Sequence, residues 1–361
     1  MQYFNTLNNL LFYKNPTSFT KHTNKDILKY AIGANMYCPG TQTNLFDKLI
    51  HNQFQDIGAI TLCLEDAIPE EDVEKAEENV IQVLENLYQK IQYDINLEKQ
   101  LPLIFIRVRN LEQFNNFSKK LSKNSLSVLT GFNFPKFNSI NGRDYFEILK
   151  SIRLKYHEIL YAMPILEDDR IIYKETRMNE LEKIQEIFNE FDQYLLNIRV
   201  GATDFSSLFG LRRNKYTTIY DLRIISDCLI DILNFFLRKN KDYVISGPVW
   251  EYFSWNENSI ENITFQKELL LDIQNGFQGK TIIHPSQINL VNKSYIVSYS
   301  DYKDACNILN TDGTGGVFKS KNGNRMNEVK PHTTWAKRIL ARAEIFGVAD
   351  KIAERNLKCA N

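Results

Sequence analysis

The sequence predicts an α/β protein built as a (β/α)8 barrel with a C-terminal helical and loop extension. Two observations carry this. Eight apolar runs of strand length recur, at 32–38, 59–64, 103–108, 131–135, 159–166, 196–201, 243–246 and 281–283. Several are near-continuously apolar, as strands buried on both faces of a parallel sheet are. The ends of successive runs also fall 26 to 45 residues apart, as between positions 39 and 65 and between 202 and 247. Each interval holds a loop, a helix and the next strand, the repeat of a barrel. A doubly wound open sheet is the structural alternative. No GxGxxG follows the first run, so the mark of a dinucleotide-binding sheet is missing.

The intervals read as helices in order. Between 70 and 92, Val73, Ala76, Val80, Val83, Leu84 and Leu87 recur with a helical period. Glu70-Glu71-Asp72 suit the positive end of that helix dipole. The stretch 169–194 repeats the pattern with Leu181, Ile184, Ile187, Phe188 and Phe191, and helices over 220–239 and 260–277 follow. Past about Tyr299 the pattern changes. Thr311-Asp312-Gly313-Thr314-Gly315-Gly316 reads as a loop by composition, and so does 320–324. A last helix is predicted over 333–346, stopped near Gly347. The expected division is an N-terminal extension over 1–30, a barrel over 31–297, and an extension over 298–361. The last packs on the barrel or closes a neighbouring subunit's site.

Composition excludes some classes. Lys plus Arg and Asp plus Glu are each 44 in 361 residues, so the formal charge is zero. A nucleic-acid binder would carry a basic footprint. The hydrophobic fraction of 43% is that of a globular chain. The five cysteines are odd in number and form no CxxC, which argues against a disulfide framework or a structural zinc site. Reduced thiols in a cytoplasmic protein are the simple expectation. Cys38 and Cys63 lie in strand runs and read as small apolar packing. The first 14 residues lack a basic region and a cleavage site, so no signal peptide is expected. No apolar run reaches the roughly 18 residues of a spanning helix, so no membrane partner is expected either.

Barrel enzymes carry their chemistry at the C-terminal ends of the strands. Those ends carry Glu65 and Asp66, then Arg107, Lys136, Glu167, Asp204 and His284. Pro164-Ile165-Leu166-Glu167 and Val200-Gly201-Ala202-Thr203-Asp204 each place a carboxylate after an apolar run. Mg²⁺ typically takes one or two carboxylates together with waters and substrate oxygens, so Glu167 and Asp204 are the candidate metal pair. Each could instead cap the helix that follows, and Asp168 or Asp169 could replace or supplement Glu167.

Arg107 closes an apolar run, and its planar fork suits a substrate carboxylate. A salt bridge to Glu65 is the alternative, and Arg109 should point to the opposite face. Strand alternation should turn one of Glu65 and Asp66 inward and the other outward. The inward one could orient Arg107, receive hydrogen bonds from metal-bound waters, form an ion pair or cap a helix. Lys136 is expected to lean into the mouth. His284 either donates a proton near neutral pH or shapes the loop before Pro285.

These motifs, in this order, resemble the citrate lyase β subunit and the wider HpcH/HpaI aldolase superfamily. They are Leu64-Glu65-Asp66-Ala67-Ile68-Pro69, Arg107-Val108-Arg109-Asn110, Phe134-Pro135-Lys136, Pro164 to Glu167, Gly201 to Asp204, and Gly279 to Gln287. Tyr37-Cys38-Pro39-Gly40 is similar to that family's opening strand motif, and the likeness spans roughly 33–347. The resemblance implies a TIM barrel, Mg²⁺ held by Glu167 and Asp204, and Arg107 on a substrate carboxylate. Glu65, Asp66 and Lys136 would join Arg107 in catalysis, and Gly201, Ala202 and Thr203 would line the substrate. It implies a homo-oligomer, commonly a trimer, whose C-terminal segment closes a neighbouring site. It also implies cleavage or formation of a carbon–carbon bond next to a carbonyl, with an enolate stabilised by Mg²⁺.

The chain departs from that pattern. Cys63 stands where the family's acidic strand carries an aspartate. Lys75 is followed by Ala76-Glu77-Glu78-Asn79, without the usual arginine. Met326-Asn327-Glu328 replaces the Met-Ile-Asp of acyl-CoA-using relatives. Asn327 cannot take a proton, whereas Glu328 or His332 could. The insertions and tail are more similar to the divergent carbon–carbon lyase-like branch that accompanies tellurite-resistance gene clusters. The expected function is a Mg²⁺-dependent carbon–carbon lyase or aldolase acting on a small oxo- or hydroxy-acid. An acyl-CoA lyase, thioesterase or condensing enzyme is the alternative, and a non-catalytic binding subunit the second.

Overall fold

The computed structural model describes residues 1–5, 12–239, 241–311, 316–319 and 325–351. The predicted loop centre at 312–315, the stretch 320–324 and Cys359 lie outside them. Eight parallel strands form one sheet: β1 (Ala34–Pro39), β2 (Ala59–Cys63), β3 (Leu103–Arg107), β4 (Gly131–Phe134), β5 (Tyr161–Leu166), β6 (Ile198–Val200), β7 (Ile245–Ser246) and β8 (Lys280–Ile282). Each overlaps one of the predicted runs, with its ends shifted by no more than two residues. The order runs sequentially from β1 to β7, and β8 pairs with β1. A parallel bridge between Gly247 and Lys280, with Gln278 N–H donating to Ile245 O at 2.8 Å, joins β7 to β8 and completes the ring. The fold is therefore the predicted (β/α)8 barrel.

The strands alternate inward and outward. Outward residues such as Phe132 and Phe134 on β4 pack against the helical layer, where Phe134 stacks on Tyr145 at 4.6 Å and Phe114 lies 4.8 Å from Phe132. The inward face is unusually polar. Asn133 Nδ2 donates to Tyr37 Oη (2.9 Å) and to Thr61 Oγ1 (3.1 Å), and Thr61 Oγ1 donates to Asn35 Oδ1 (3.0 Å). These bonds link the buried polar groups across the interior and hold the Tyr37 hydroxyl to Asn133, while Asn35 Nδ2 and Asn133 Oδ1 stay without a partner.

The longer helices are α1 (Val73–Tyr93), α2 (Leu111–Lys120), α3 (Gly142–Tyr156), α4 (Lys174–Glu190), α5 (Arg223–Phe236), α6 (Ile260–Asn275), α7 (Tyr299–Asn310) and α8 (Val329–Phe346). In α1 the buried residues Ala76, Val80, Val83, Leu84 and Leu87 form the predicted stripe, after a 3₁₀ turn made by Glu70–Asp72. Two expectations need correction. The helix predicted over 169–194 is broken at Tyr173, which is extended (ψ 126°). The buried Arg177 donates to Ile171 O (2.9 Å) and Ile172 O (2.6 Å), taking the carbonyls that a continuous helix would use. The prediction also leaves out α2, α3 and α7. In α2 only Phe114, Phe117 and Ser118 are buried, too few for a period to stand out.

The tail packs on its own barrel at the end opposite the strand C-termini. α8 stops at Gly347 (φ 77°), as predicted, though it begins four residues earlier than expected, at Val329 rather than 333. Phe346 stacks on Tyr3 at 4.5 Å, and Tyr3 Oη donates to Ala31 O just before β1. The strand Phe12–Lys14 pairs with Val348–Ala349, tying the N-terminal segment to the tail. No helix among the described residues is long and apolar enough to cross a membrane.

Candidate active site

Six of the seven predicted strand-end residues gather at one mouth. Arg107, the last residue of β3, is buried, and its Nη2 lies 2.6 Å from Glu65 Oε2, 3.1 Å from Asp66 Oδ2 and 3.3 Å from Glu167 Oε1. Lys136 Nζ lies 2.6 Å from Glu65 Oε1 and 3.7 Å from Asp66 Oδ1. The salt bridge read as the alternative for Arg107 is thus formed, and it extends to three carboxylates. Lys136 holds a left-handed backbone (φ 46°), uncommon outside glycine, and its N–H donates to Glu167 Oε1 at 3.0 Å.

The expected alternation of Glu65 and Asp66 does not hold. β2 ends at Cys63, so the pleat no longer sets side-chain direction. Both carboxylates reach Arg107, although Glu65 is buried and Asp66 is half exposed. The competing roles of the metal pair fall away too. Asp168, not Glu167, caps the following helix: its Oδ1 accepts from Arg170 N, and its Oδ2 accepts from Asn138 Nδ2 at 2.8 Å. Asp168 is thereby committed elsewhere. Asp204 lies inside the helix Ala202–Ser207, whose cap is Gly201, and makes no capping bond.

Glu167 and Asp204 face each other closely enough to share a hydrogen bond. Burial is the main cause that pushes the Glu167 carboxyl up to about 8. The Arg107 charge opposes this and the Asp204 charge adds to it. Burial likewise raises Asp204, reinforced by Asp66. Burial also raises Glu65, against the pull of Arg107. Asp66 goes the other way: burial acts upward, but its hydrogen bond with Glu65 and the charges of Arg107 and Lys136 outweigh it. Two acids in contact, one fully buried and held protonated, mark a place that lacks positive charge.

Gly201 makes the pair possible. A Cβ there would lie 2.0 Å from Glu167 Oε2 and 2.6 Å from Glu167 Cβ. Among the described residues no group of three or more His, Cys, Asp or Glu forms a metal cage. Two carboxylates at an open mouth fit Mg²⁺, which keeps several waters and resists all-protein cages.

The acids border a cavity of ≈ 220 Å³, lined also by Tyr37, Arg107, Arg199, Gly201, Thr203 and Thr281. Of the predicted substrate-contacting residues, Gly201 and Thr203 reach it, while Ala202 is buried behind them. Other clefts of ≈ 290 and ≈ 700 Å³ lie beside the N-terminal segment and contain none of the mouth acids. His284 stays apart from the cluster. Its Nδ1 accepts from Ser286 N (3.2 Å), its ring stacks on Phe253 at 4.1 Å, and burial lowers its pKa. It shapes the loop before Pro285. Asn327, Glu328 and His332 belong to the tail hairpin and the start of α8, and none lines this cavity.

Sequence reasoning missed Tyr37, Arg199 and Thr281 as cavity residues. For Arg199 a signal was present. It is a charge inside the apolar run 196–201, two positions before Gly201 and therefore on the same inward face.

Among solved structures, the fold matches a citrate lyase from Burkholderia xenovorans LB400 with a TM-score of 0.65 at 13% identity, over 90% of this chain and 96% of that one. It matches the protein CitE from Mycobacterium tuberculosis, solved with magnesium, acetoacetate and coenzyme A, with a TM-score of 0.56 at 18% identity, over 87% and 99%. A malate synthase from Haloferax volcanii, a lead(II) complex, gives 0.55 at 11% over 73% of each chain. At these identities the likeness shows a shared fold. No curated protein matches the chain. The sequence model of the carbon–carbon bond lyases of the TIM-barrel fold matches residues 26–348, and the chain belongs to that family.

Proposed function

We propose that the chain is a Mg²⁺-dependent carbon–carbon lyase or aldolase acting on a small oxo- or hydroxy-acid through an enolate. The observation that supports this most is the Glu167–Asp204 pair, two facing carboxyls with Glu167 pushed up to about 8 beside a cavity. These two residues hold the metal. When bound, Mg²⁺ supplies Lewis-acid stabilisation of the negative charge that develops on the substrate's carbonyl oxygen.

The chain's own residues do the rest. Arg107 lines the cavity with its Nη2 held by acids and its Nε without a hydrogen-bond partner, so its Nε–H is a donor left for a substrate carboxylate. Glu65 fixes both Arg107 and Lys136, and Asp66 stands at the exposed rim. Lys136 or Asp66 exchanges a proton with the substrate there. Gly201 and Thr203 form the wall, with Ala202 packed behind them. Closure from outside comes from a second copy in a homo-oligomer, a trimer, whose tail covers the mouth; light scattering on the purified protein tests this. An acyl-CoA as co-substrate is tested by thermal shift with CoA esters.

The direct test is calorimetric titration of Mg²⁺ into wild type and Asp204→Ala. The proposal expects binding in the first and its loss in the second. Equal binding in both would sink the metal site.

A further inference from the structure

Seven lysines and arginines are buried among the described residues, and six of them form ion pairs with carboxylates. Arg107 has three acids, Arg177 has Asp227 and Asp231, and Arg213 has Glu251 and Glu268. Arg199 is the exception. It is 2% exposed, and among the described residues no acid pairs with it.

The polar side chains that meet it directly, Thr281 and Tyr37, are hydroxyls rather than carboxylates. Nη2 donates to Thr281 Oγ1, while Nε and Nη1 have no hydrogen-bond partner. The guanidinium lies 5.8 Å from the centre of the Tyr37 ring, and Arg107 lies 5.9 Å from that same ring. The two cations therefore flank one aromatic ring, and Arg107 adds repulsion. Arginine does not escape by losing its proton. A buried, unpaired cation is costly, and chains keep one where an anion comes to meet it.

The cavity supplies the place for that anion. Arg199 and Thr281 line it together with Glu167, Asp204 and Arg107. Arg199 springs from β6 and its Nη2 donates to Thr281 on β8, so two of its nitrogens, Nε and Nη1, are left without a partner at the cavity wall. A monocarboxylate engaged at Arg107 would leave Arg199 unpaired.

We propose that Arg199 is a second anion anchor that takes the distal carboxylate of a dicarboxylate substrate, with the Thr281 hydroxyl beside it. This rests on the cavity being the active site, as proposed above. It assigns the substrate class: an oxo- or hydroxy-acid with carboxylates at both ends, one at Arg107 beside the metal and one at Arg199.

The test compares ligands matched in chain length, in the presence of Mg²⁺. Malate is set against α-hydroxybutyrate, and α-ketoglutarate against α-ketovalerate, by calorimetry on the full chain. Wild type is expected to prefer one dicarboxylate over its monocarboxylate partner by on the order of tenfold or more, the scale of a charge-assisted hydrogen bond. Arg199→Met should erase that preference and leave monocarboxylate binding unchanged, and Arg199→Lys should restore part of it. Ligand-free Arg199→Met should melt no lower than wild type, since no ion pair is lost.

Two results would overturn the anchor: equal affinity of wild type for both members of both pairs, or a preference that survives in Arg199→Met. A lower melting temperature for ligand-free Arg199→Met would do so too, marking the arginine as structural. Absence of binding by any of the four acids to Mg²⁺-loaded wild type would instead strike the proposed function itself.

Discussion

Two clusters of buried charge sit on this barrel, and they are built on opposite plans. One lies between β8 and α6. Lys280 Nζ is 2.8 Å from Glu268 and 2.6 Å from Asp272, and all three side chains are fully buried. Arg213 completes Glu268 at 2.5 Å, Ile219 N donates to it at 2.7 Å, and Tyr220 Oη donates to Asp272 at 2.7 Å. Two cations meet two fully buried acids, and every carboxylate oxygen named has a donor. The other cluster is the mouth. There, among the described residues, the cations that Glu65, Asp66, Glu167 and Asp204 share are Arg107 and Lys136, and two of the acids face each other. The closed cluster is complete by itself and holds the structure. The open one sets four carboxyls against two cations beside a cavity, the setting that the proposed Mg²⁺ would complete.

Removing a charge should therefore have opposite consequences in the two places. The largest effect is expected in the closed cluster. Lys280→Met leaves Glu268 and Asp272 buried without their shared cation, which should cost roughly 3–5 kcal/mol in denaturant unfolding. A loss under about 1 kcal/mol would mean that the cluster is not the closed unit described. At the mouth, Glu167→Gln removes an acid whose ionisation burial opposes, so the metal-free protein should be at least as stable as wild type.

Gly201→Ala comes next. Its Cβ would lie within 2.6 Å of two Glu167 atoms, and such overpacking typically costs about 1–3 kcal/mol. It should also displace Glu167 and weaken Mg²⁺ binding. Mg²⁺ affinity equal to wild type would show that Glu167 is not a ligand.

How far the sequence carries depends on which residues sit beside which. The strands are legible because a strand covered on both faces is largely apolar, as the run at 159–166 is throughout. The mouth residues are legible because a charge directly after such a run cannot stay in the wall of the barrel. Pairing is another matter. That Arg107 binds Glu65, Asp66 and Glu167 at once depends on where three loops leave their strands, and strand alternation misplaces Glu65 and Asp66 because it stops at Cys63. The break at Tyr173 is equally hidden. The period of α4 gives no hint that the Arg177 side chain takes two backbone carbonyls. Arg199 was visible as a residue but not as an exception, since the lack of an acidic partner among the described residues is a property of the whole barrel interior.

A smaller effect separates the clusters by pH. The Glu167 carboxyl is raised by burial from 4.5 to about 8, so the folded protein holds its proton more tightly than the unfolded chain does. Its contribution is neutral at low pH and becomes destabilising as pH rises through that window. Metal-free stability should thus fall between about pH 4.5 and 8, and Glu167→Gln should flatten the fall. Binding of Mg²⁺ requires the deprotonated acid, so affinity should rise over the same range. A metal-free melting curve independent of pH across that window would contradict the assignment. The smallest effect is expected at His284. Replacing its cap with His284→Ala should cost about 1 kcal/mol in stability and leave Mg²⁺ affinity untouched. A tenfold loss of affinity would extend the mouth cluster to this residue.

The most direct measurement is a crystal structure of the protein soaked with Mg²⁺ and oxalate. The account predicts one cation bound by the carboxylates of Glu167 and Asp204, with oxalate completing its coordination and the free edge of Arg107 against an oxalate oxygen. A cation bound between Glu65 and Asp66, or density for oxalate alone with the Glu167–Asp204 contact unchanged, would contradict it.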